Sequence, residues 1–121
     1  MDIGTIEHLC KALPHATDEI KWKSDWVFMV ARKMFCVIDL EAVPTSVAFK
    51  VPDEDFDALS TAPHFKPAPY FAQHKWVTLT DIGKITPAHL KKHIQTSYKL
   101  VYGRLSKKAQ RELGNDGKAR P

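Results

Sequence analysis

The sequence predicts a two-layer α+β domain in which an antiparallel sheet of about five strands packs against helices. Its 121 residues, 44% of them hydrophobic, suffice for one core. Runs of β-branched and aromatic residues follow one another in the first half, and apolar residues recur at helical spacing at both ends. We expect the order α-β-β-β-β-α-β-α, a single domain over residues 1–113 and a flexible C-terminal tail at 114–121.

The first element is an amphipathic helix over residues 2–13. Ile3, Ile6 and Leu9 recur on one side of it, and Pro14 ends the pattern.

An antiparallel meander of three strands follows, because three short apolar runs are separated by tight polar connections. The strands are Asp18–Trp22, Trp26–Ala31 and Met34–Leu40, and the turns are Lys23–Asp25 and Arg32-Lys33. Both turns carry basic residues at the hairpin tips.

The middle of the chain holds a fourth strand, Ser46–Val51, and then a short helix that Asp53 can cap. Residues 61–73 contain three prolines, so we expect a packed loop without regular structure. The next strand is Lys75–Thr80.

The last elements are helical. Thr86-Pro87 is a good N-cap and first-turn pair, and the apolar face of this long helix continues to Leu105. Ser106 can cap a further turn that ends at Leu113, followed by the tail.

Nothing in the sequence suggests secretion or membrane insertion. There is no basic start with a continuous apolar stretch, and no window approaches the ~20 apolar residues that span a bilayer. We therefore expect a soluble, cytoplasmic monomer with no membrane partner. Cys10 and Cys36 lie inside apolar patterns, so we interpret them as buried free thiols rather than a disulfide or a nucleophile.

Several short motifs spread over nearly the whole chain resemble the MmcQ/YjbR family of small bacterial proteins. They are Leu13-Pro14, Lys33-Met34-Phe35, Val47–Pro52, Pro67–Tyr70, His74–Val77, Ser97–Val101 and Leu105–Lys108. The resemblance implies an antiparallel sheet in a double-wing, DNA-binding-like fold and an activity that is largely unassigned. This chain departs from the family at Ala31-Arg32-Lys33, where members commonly have glycine before the lysine.

Charge is distributed unevenly along the chain. Residues 1–60 contain 6 basic and 11 acidic side chains, whereas residues 61–121 contain 12 basic and 3 acidic ones. A basic half can be a solvated surface or a face that attracts phosphates.

The first functional hypothesis is a non-enzymatic DNA-binding protein whose hairpin tips act as wings. Its phosphate-binding candidates are Arg32, Lys33, Lys75, Lys92, Lys99, Lys107, Lys108 and Arg111. Such contacts give affinity without sequence choice.

The alternative is an adaptor that binds a protein or a small ligand in a groove formed by the aromatic, Pro-rich segment 63–76. Its ligand or stacking candidates are Tyr70, His74, Trp76 and Tyr98. Trp76 can equally be a core residue. An enzyme acting through His74 and Tyr98 is a third hypothesis.

The sequence indicates neither a catalytic motif nor a cofactor. It has no nucleophile elbow, phosphate loop or dinucleotide glycine motif. His89 and His93 are four apart, but no Cys or Glu beside them completes a zinc site, so we predict no metal.

Overall fold

A computed structural model of the protein describes the backbone of residues 1–118 and the side chains of residues 1–113. Its helices and strands follow the predicted order, with one additional strand and with boundaries shifted by a residue or two except at the end of the last helix. They are α1 Ile3–Lys11, β1 Thr17–Lys21, β2 Asp25–Val30, β3 Lys33–Asp39, β4 Ser46–Lys50, α2 Asp53–Ser60, β5 Phe65–Pro67, β6 Trp76–Leu79, α3 Pro87–Gly103 and α4 Lys107–Lys118. The α+β fold class is confirmed.

The sheet has six strands in the order β1-β2-β3-β4-β6-β5, and every neighbouring pair is antiparallel. The prediction of a loop without regular structure at 61–73 is wrong for β5, which pairs with β6. Pro67 is tolerated because it ends an edge strand, where no second neighbour needs its missing N–H.

One face of the sheet carries the helices and the core. Buried residues of α1 and α3 pack there on buried residues of four strands: Ile6, Cys10, Phe28, Val30, Cys36, Ile38, Val47, Phe49, Val77, Leu79, Leu90, Ile94, Tyr98 and Val101. A β-bulge between Phe28 and Met29 shifts the β2–β3 register, and both Phe35 and Cys36 are fully buried beside it. An extra residue in one strand lets two consecutive side chains enter the same core.

The helix caps are partly those expected. Thr86 caps α3 by accepting the N–H of His89 (3.2 Å), and Ser106 caps α4 by accepting the N–H of Ala109 (3.0 Å). Asp53 is not a cap, contrary to expectation, because α2 begins one residue earlier than that role requires and Pro52 occupies the N-cap position. The Asp53 carboxylate lies in the first turn instead, where it still faces the positive helix end.

The last helix is longer than expected. Helical backbone continues past Leu113 to Lys118, so the structure has helix where the sequence predicts the first part of a tail. The rest of the predicted tail, residues 119–121, lies outside the described residues. Across residues 1–118, no helix is long and apolar enough to cross a membrane.

Candidate functional site

One end of the sheet collects basic residues from separate parts of the chain. The β2–β3 turn lies there, and the β3–β4 and β4–β6 registers bring the end of β4 and the start of β6 to the same end. Arg32, Lys33, Lys50 and Lys75 therefore lie at this end of the sheet. We call it the basic end.

The tip of the basic end is a two-residue turn made by Ala31 and Arg32. Both residues have positive φ, 49° and 66°, as a type I′ hairpin turn requires. The predicted turn is confirmed in place but begins one residue earlier, since Lys33 already belongs to β3. Arg32 occupies the left-handed position that glycine adopts without strain, so the exchange of glycine for arginine keeps the turn and adds an exposed cation.

Lys50 lies at the centre of the basic end and is only 5% exposed. Its ammonium donates a hydrogen bond to the carbonyl of His74. Burial lowers the pKa of Lys50, and the neighbouring charges of Arg104 and Lys75 lower it further, while Asp53 opposes the shift. Arg104 thus belongs to the basic end. Sequence reasoning missed Arg104, whose only signal was its position just after the long helix.

The start of α4 adds further cations at this end. Gln110 Nε2 donates to the carbonyls of Tyr102 (3.0 Å) and Leu105 (3.3 Å), which holds α4 against the end of α3. The predicted phosphate-binding residues of α4 therefore follow directly on Arg104 and are exposed: Lys107, Lys108 and Arg111.

The remaining predicted cations are on α3. Lys99 and Lys92 are both exposed, but Lys92 lies about 18 Å along the helix axis from Arg104. The structure does not bring Lys92 to the basic end.

Direct ion pairs do not neutralise the basic end. Among residues 1–113, the ion pairs are Lys11–Glu7 (2.6 Å) and Lys21–Glu19 (3.6 Å), and both lie elsewhere. Lys75 is half-buried, and its ammonium lies 5.1 Å from the centre of the Phe56 ring.

Two facing carboxylates lie at the opposite end of the sheet. Asp25 of β2 and Asp39 of β3 face each other across the two strands. Burial raises the pKa of Asp25, and the charges of Asp39 and Glu41 raise it further. The charge imbalance along the sequence is only partly a separation in space, because Lys21 is opposite Asp25 on β1 and Asp53 of α2 lies close to Lys50.

The face of the sheet opposite the helices forms an open cleft of about 500 Å³. We call it the aromatic cleft. Its lining comprises Trp22, Asp25, Val37, Asp39, Ser46, Ala48, Lys66, Ala68, Pro69, Tyr70, Phe71, Trp76 and Thr78. Tyr70 and Trp76, predicted as stacking residues, both belong to it: Tyr70 is 92% exposed, and Trp76 is 5% exposed with its ring 5.8 Å from that of Phe71.

The other two stacking candidates are not part of the cleft lining. His74 is exposed, next to the cleft segment, and its carbonyl accepts the Lys50 hydrogen bond. Tyr98 lies on the helix face, where its hydroxyl donates to the carbonyl of Pro14 (2.6 Å) and burial raises its pKa.

The two histidines considered as metal ligands differ in their surroundings. His93 is half-buried and stacks on Phe49, with ring centres 5.0 Å apart, whereas His89 is exposed. Burial lowers the pKa of His93, chiefly, and the charge of His89 lowers it further, while Asp55 opposes the shift. Within the described part of the chain, no three His, Cys, Asp or Glu side chains are grouped as metal ligands would be.

The fold can be compared with those of known proteins. The crystal structure of the Deinococcus radiodurans protein DR2400, a DUF419 domain, matches with a TM-score of 0.80 and 26% identity, covering 90% of this chain and 85% of that one. A Pseudomonas syringae protein shares the fold, with a TM-score of 0.70 and 15% identity over 84% of this chain and 99% of its own.

At the level of sequence, no curated protein matches the chain. The model of the YjbR family matches residues 11–100, which include the sheet and most of α3. This chain therefore belongs to the YjbR family.

Proposed function

We propose that this protein binds nucleic acid, with the phosphate backbone held at the basic end. The observation that carries the proposal is the convergence of cations from the β2–β3 turn, the start of β6, the end of α3 and the start of α4. Cations that are far apart in sequence but close in space produce a local positive potential that attracts a polyanion.

The shape of the basic end suits a phosphate backbone. Arg32 and Lys33 lie at the tip of a hairpin, as in a wing, and Lys107 lies at the start of α4. These side chains are exposed and free to reach phosphate oxygens. Contacts of this kind position a protein on a duplex and carry no base information, so we expect little sequence preference.

We propose a binding protein rather than an enzyme. Two of the groups that could carry chemistry are committed to the core: the thiol of Cys36 is fully buried with a raised pKa, and the hydroxyl of Tyr98 donates to the Pro14 carbonyl. A thiol with a raised pKa is a poor nucleophile at neutral pH.

The test is a titration of a fluorescently labelled DNA duplex at a series of salt concentrations. If about five phosphates are contacted, the logarithm of the association constant falls with the logarithm of salt concentration with a slope of about −4 to −5. Absence of binding at low salt, or binding that does not respond to salt, would contradict the proposal.

Two lysine pairs on the same protein make a matched comparison. Lys107 and Lys108 lie at the basic end, and Lys91 and Lys92 are an equally exposed pair on α3, remote from it. Replacing Lys107 and Lys108 with alanine should weaken binding and reduce the salt slope by up to about 2, whereas the same change at Lys91 and Lys92 should do neither. Equal effects of the two double variants would show that only net charge matters.

A further inference from the structure

One end of the aromatic cleft carries a charge opposite to that of the basic end. Its floor is apolar, its rim is aromatic, and Asp25 and Asp39 stand at one end of it. We propose that the aromatic cleft binds a small organic cation, an amine carried on an apolar body. This inference goes beyond nucleic-acid binding and concerns a different surface.

The size and walls of the cleft suit a small molecule. A volume of about 500 Å³ lies within the range of pockets that hold such ligands, roughly 300 to 1,000 Å³. Val37, Ala48 and Trp76 come from three neighbouring strands and form an apolar floor. That floor can cover the apolar body of a ligand.

Two exposed aromatic side chains stand at the rim. Trp22 is 60% exposed and Tyr70 is 92% exposed, and both have left-handed backbones, with φ of 48° and 67°. At Trp22 this conformation belongs to the β1–β2 hairpin turn, where Lys23 also has positive φ (77°), and the turn places the Trp22 ring at the rim. Aromatic faces attract cations, and the ammonium of Lys21 already lies 5.7 Å from the centre of the Trp22 ring.

The carboxylates supply the counter-charge. Asp25 and Asp39 are directly opposite each other on β2 and β3, where like charges repel. Lys21 is opposite Asp25 on β1 but pairs with Glu19, so neither aspartate has an ion-pair partner among residues 1–113. An ammonium group between them would relieve the repulsion. The backbone N–H groups of Glu41 and Ala42 donate hydrogen bonds to Asp39 Oδ1, and these bonds hold that carboxylate in place.

The other charge in the cleft sets the orientation of the ligand. Lys66 is on β5, three strands away from β3, which places it about 14 Å from Asp39. A cation is therefore attracted to the Asp25 end and repelled from the Lys66 end. A phosphate backbone would be repelled by the two carboxylates, so nucleic acid is not the expected occupant.

The experiment compares two probes of nearly the same shape and opposite charge, phenethylamine and 3-phenylpropanoate. Each is titrated into the ¹⁵N-labelled protein while backbone amide shifts are followed. We expect saturable shifts of cleft residues with phenethylamine only. Tighter or equal binding of 3-phenylpropanoate, or no saturable shifts with phenethylamine, would overturn the proposal.

Two variants locate the site. Asp25→Asn should weaken phenethylamine binding by about tenfold, because it removes a partly buried counter-charge. Tyr70→Ala should weaken it by about threefold, and this side chain is too exposed for its loss to unfold the protein. Asp57→Asn on α2 is the matched control and should change nothing. Undiminished affinity of both cleft variants would also overturn the proposal.

The result is independent of the proposed nucleic-acid binding. The Lys107 and Lys108 double alanine variant should keep its affinity for phenethylamine, because these lysines are not part of the cleft lining. If the protein does not bind DNA, the phenethylamine titration therefore still tests the aromatic cleft by itself.

Discussion

Ser97 is a fully buried polar residue on the apolar face of α3. Its hydroxyl accepts the N–H of Lys50 (2.9 Å) and donates to the carbonyl of Phe35 (2.6 Å). The hydroxyl thus joins β3 and β4 just beyond their last paired residues, Cys36 and Phe49. A buried hydroxyl needs a hydrogen-bond partner, and here the partners are two backbone groups that need one as well.

Replacing Ser97 with alanine should therefore be costly for so small a change. It leaves the Lys50 N–H and the Phe35 carbonyl unsatisfied in the core, and we expect the free energy of unfolding to fall by about 2–4 kcal/mol. Urea denaturation measures the loss. Gln95→Ala on the exposed side of α3 is the control and should stay within about 0.5 kcal/mol of the native protein. A Ser97→Ala loss as small as the control's would show that the two hydrogen bonds do not stabilise the sheet.

Ser97 and Tyr98 are polar residues on an apolar helix face, and from the sequence alone their burial implies hydrogen-bond partners. The partners themselves could not be predicted. They are 47, 62 and 84 residues away in the chain, and only the folded sheet brings them to α3.

At the scale of elements, the spacing of apolar residues predicts those helices and strands whose conformation depends on their own sequence. The meander, α1 and α3 have long, regular apolar patterns and appear where expected. β5 was missed because three residues are too few for an alternating pattern and Pro67 argues against a strand; its pairing with β6 decides its conformation. Asp53 was predicted to cap α2 because aspartate is common both at the N-cap and in the first turn of a helix. A boundary error of one residue exchanges these two roles.

The packing of β5 against α3 makes the stability of the protein depend on pH. His93 of α3 lies against Phe49 of β4 and Phe65 of β5, with charged neighbours His89 and Asp55. Burial lowers the pKa of His93 below its value of about 6.5 in the unfolded chain, so the unfolded state binds its proton first. The neutral ring therefore contributes its full stability above about pH 6.5, and this contribution is lost as the pH falls from there through the lowered pKa of His93.

We expect the urea midpoint to decrease from about pH 7.5 to about pH 5.5, and a His93→Gln variant to show a smaller decrease. The comparison is made with His89→Gln, one turn earlier on the same helix and exposed, which should keep most of the pH dependence because burial, not the His89 charge, is the chief cause of the His93 shift. If His93→Gln and the native protein lose stability in parallel, the ring is not held neutral by the core.

On the scale of the whole molecule, the candidate surfaces depend on registers that the sequence could not reveal. The sequence predicted eight phosphate-binding residues from charge alone. The structure gathers most of them at the basic end, adds Arg104 and leaves Lys92 apart, since strand order and the direction of α3 decide which end each cation reaches. The aromatic segment was recognised from its residues, but its partners in the cleft, Asp25 and Asp39, come from the other half of the sheet.

The like charges crowded at each end of the sheet predict opposite responses to salt with and without DNA. Alone, the protein has like charges crowded at both ends, Asp25 and Asp39 at one and Lys50, Lys75 and Arg104 at the other. Raising sodium chloride from about 10 mM to about 200 mM screens both repulsions, so the melting temperature should rise by a few degrees. With excess duplex DNA present, the same increase in salt weakens binding and removes the stabilisation that binding supplies.

Thermal melts at the two salt concentrations, each with and without DNA, measure both effects in one experiment. The stabilisation by DNA, taken as the difference between the two melts at each salt concentration, should be large at low salt and nearly vanish at high salt. In Asp25→Asn the rise without DNA should be smaller, because one of the two repulsions is relieved before salt is added. A melting temperature of the free protein that falls with salt would contradict this prediction. It would mean that attraction between opposite charges stabilises the protein more than the repulsion between like charges at each end destabilises it.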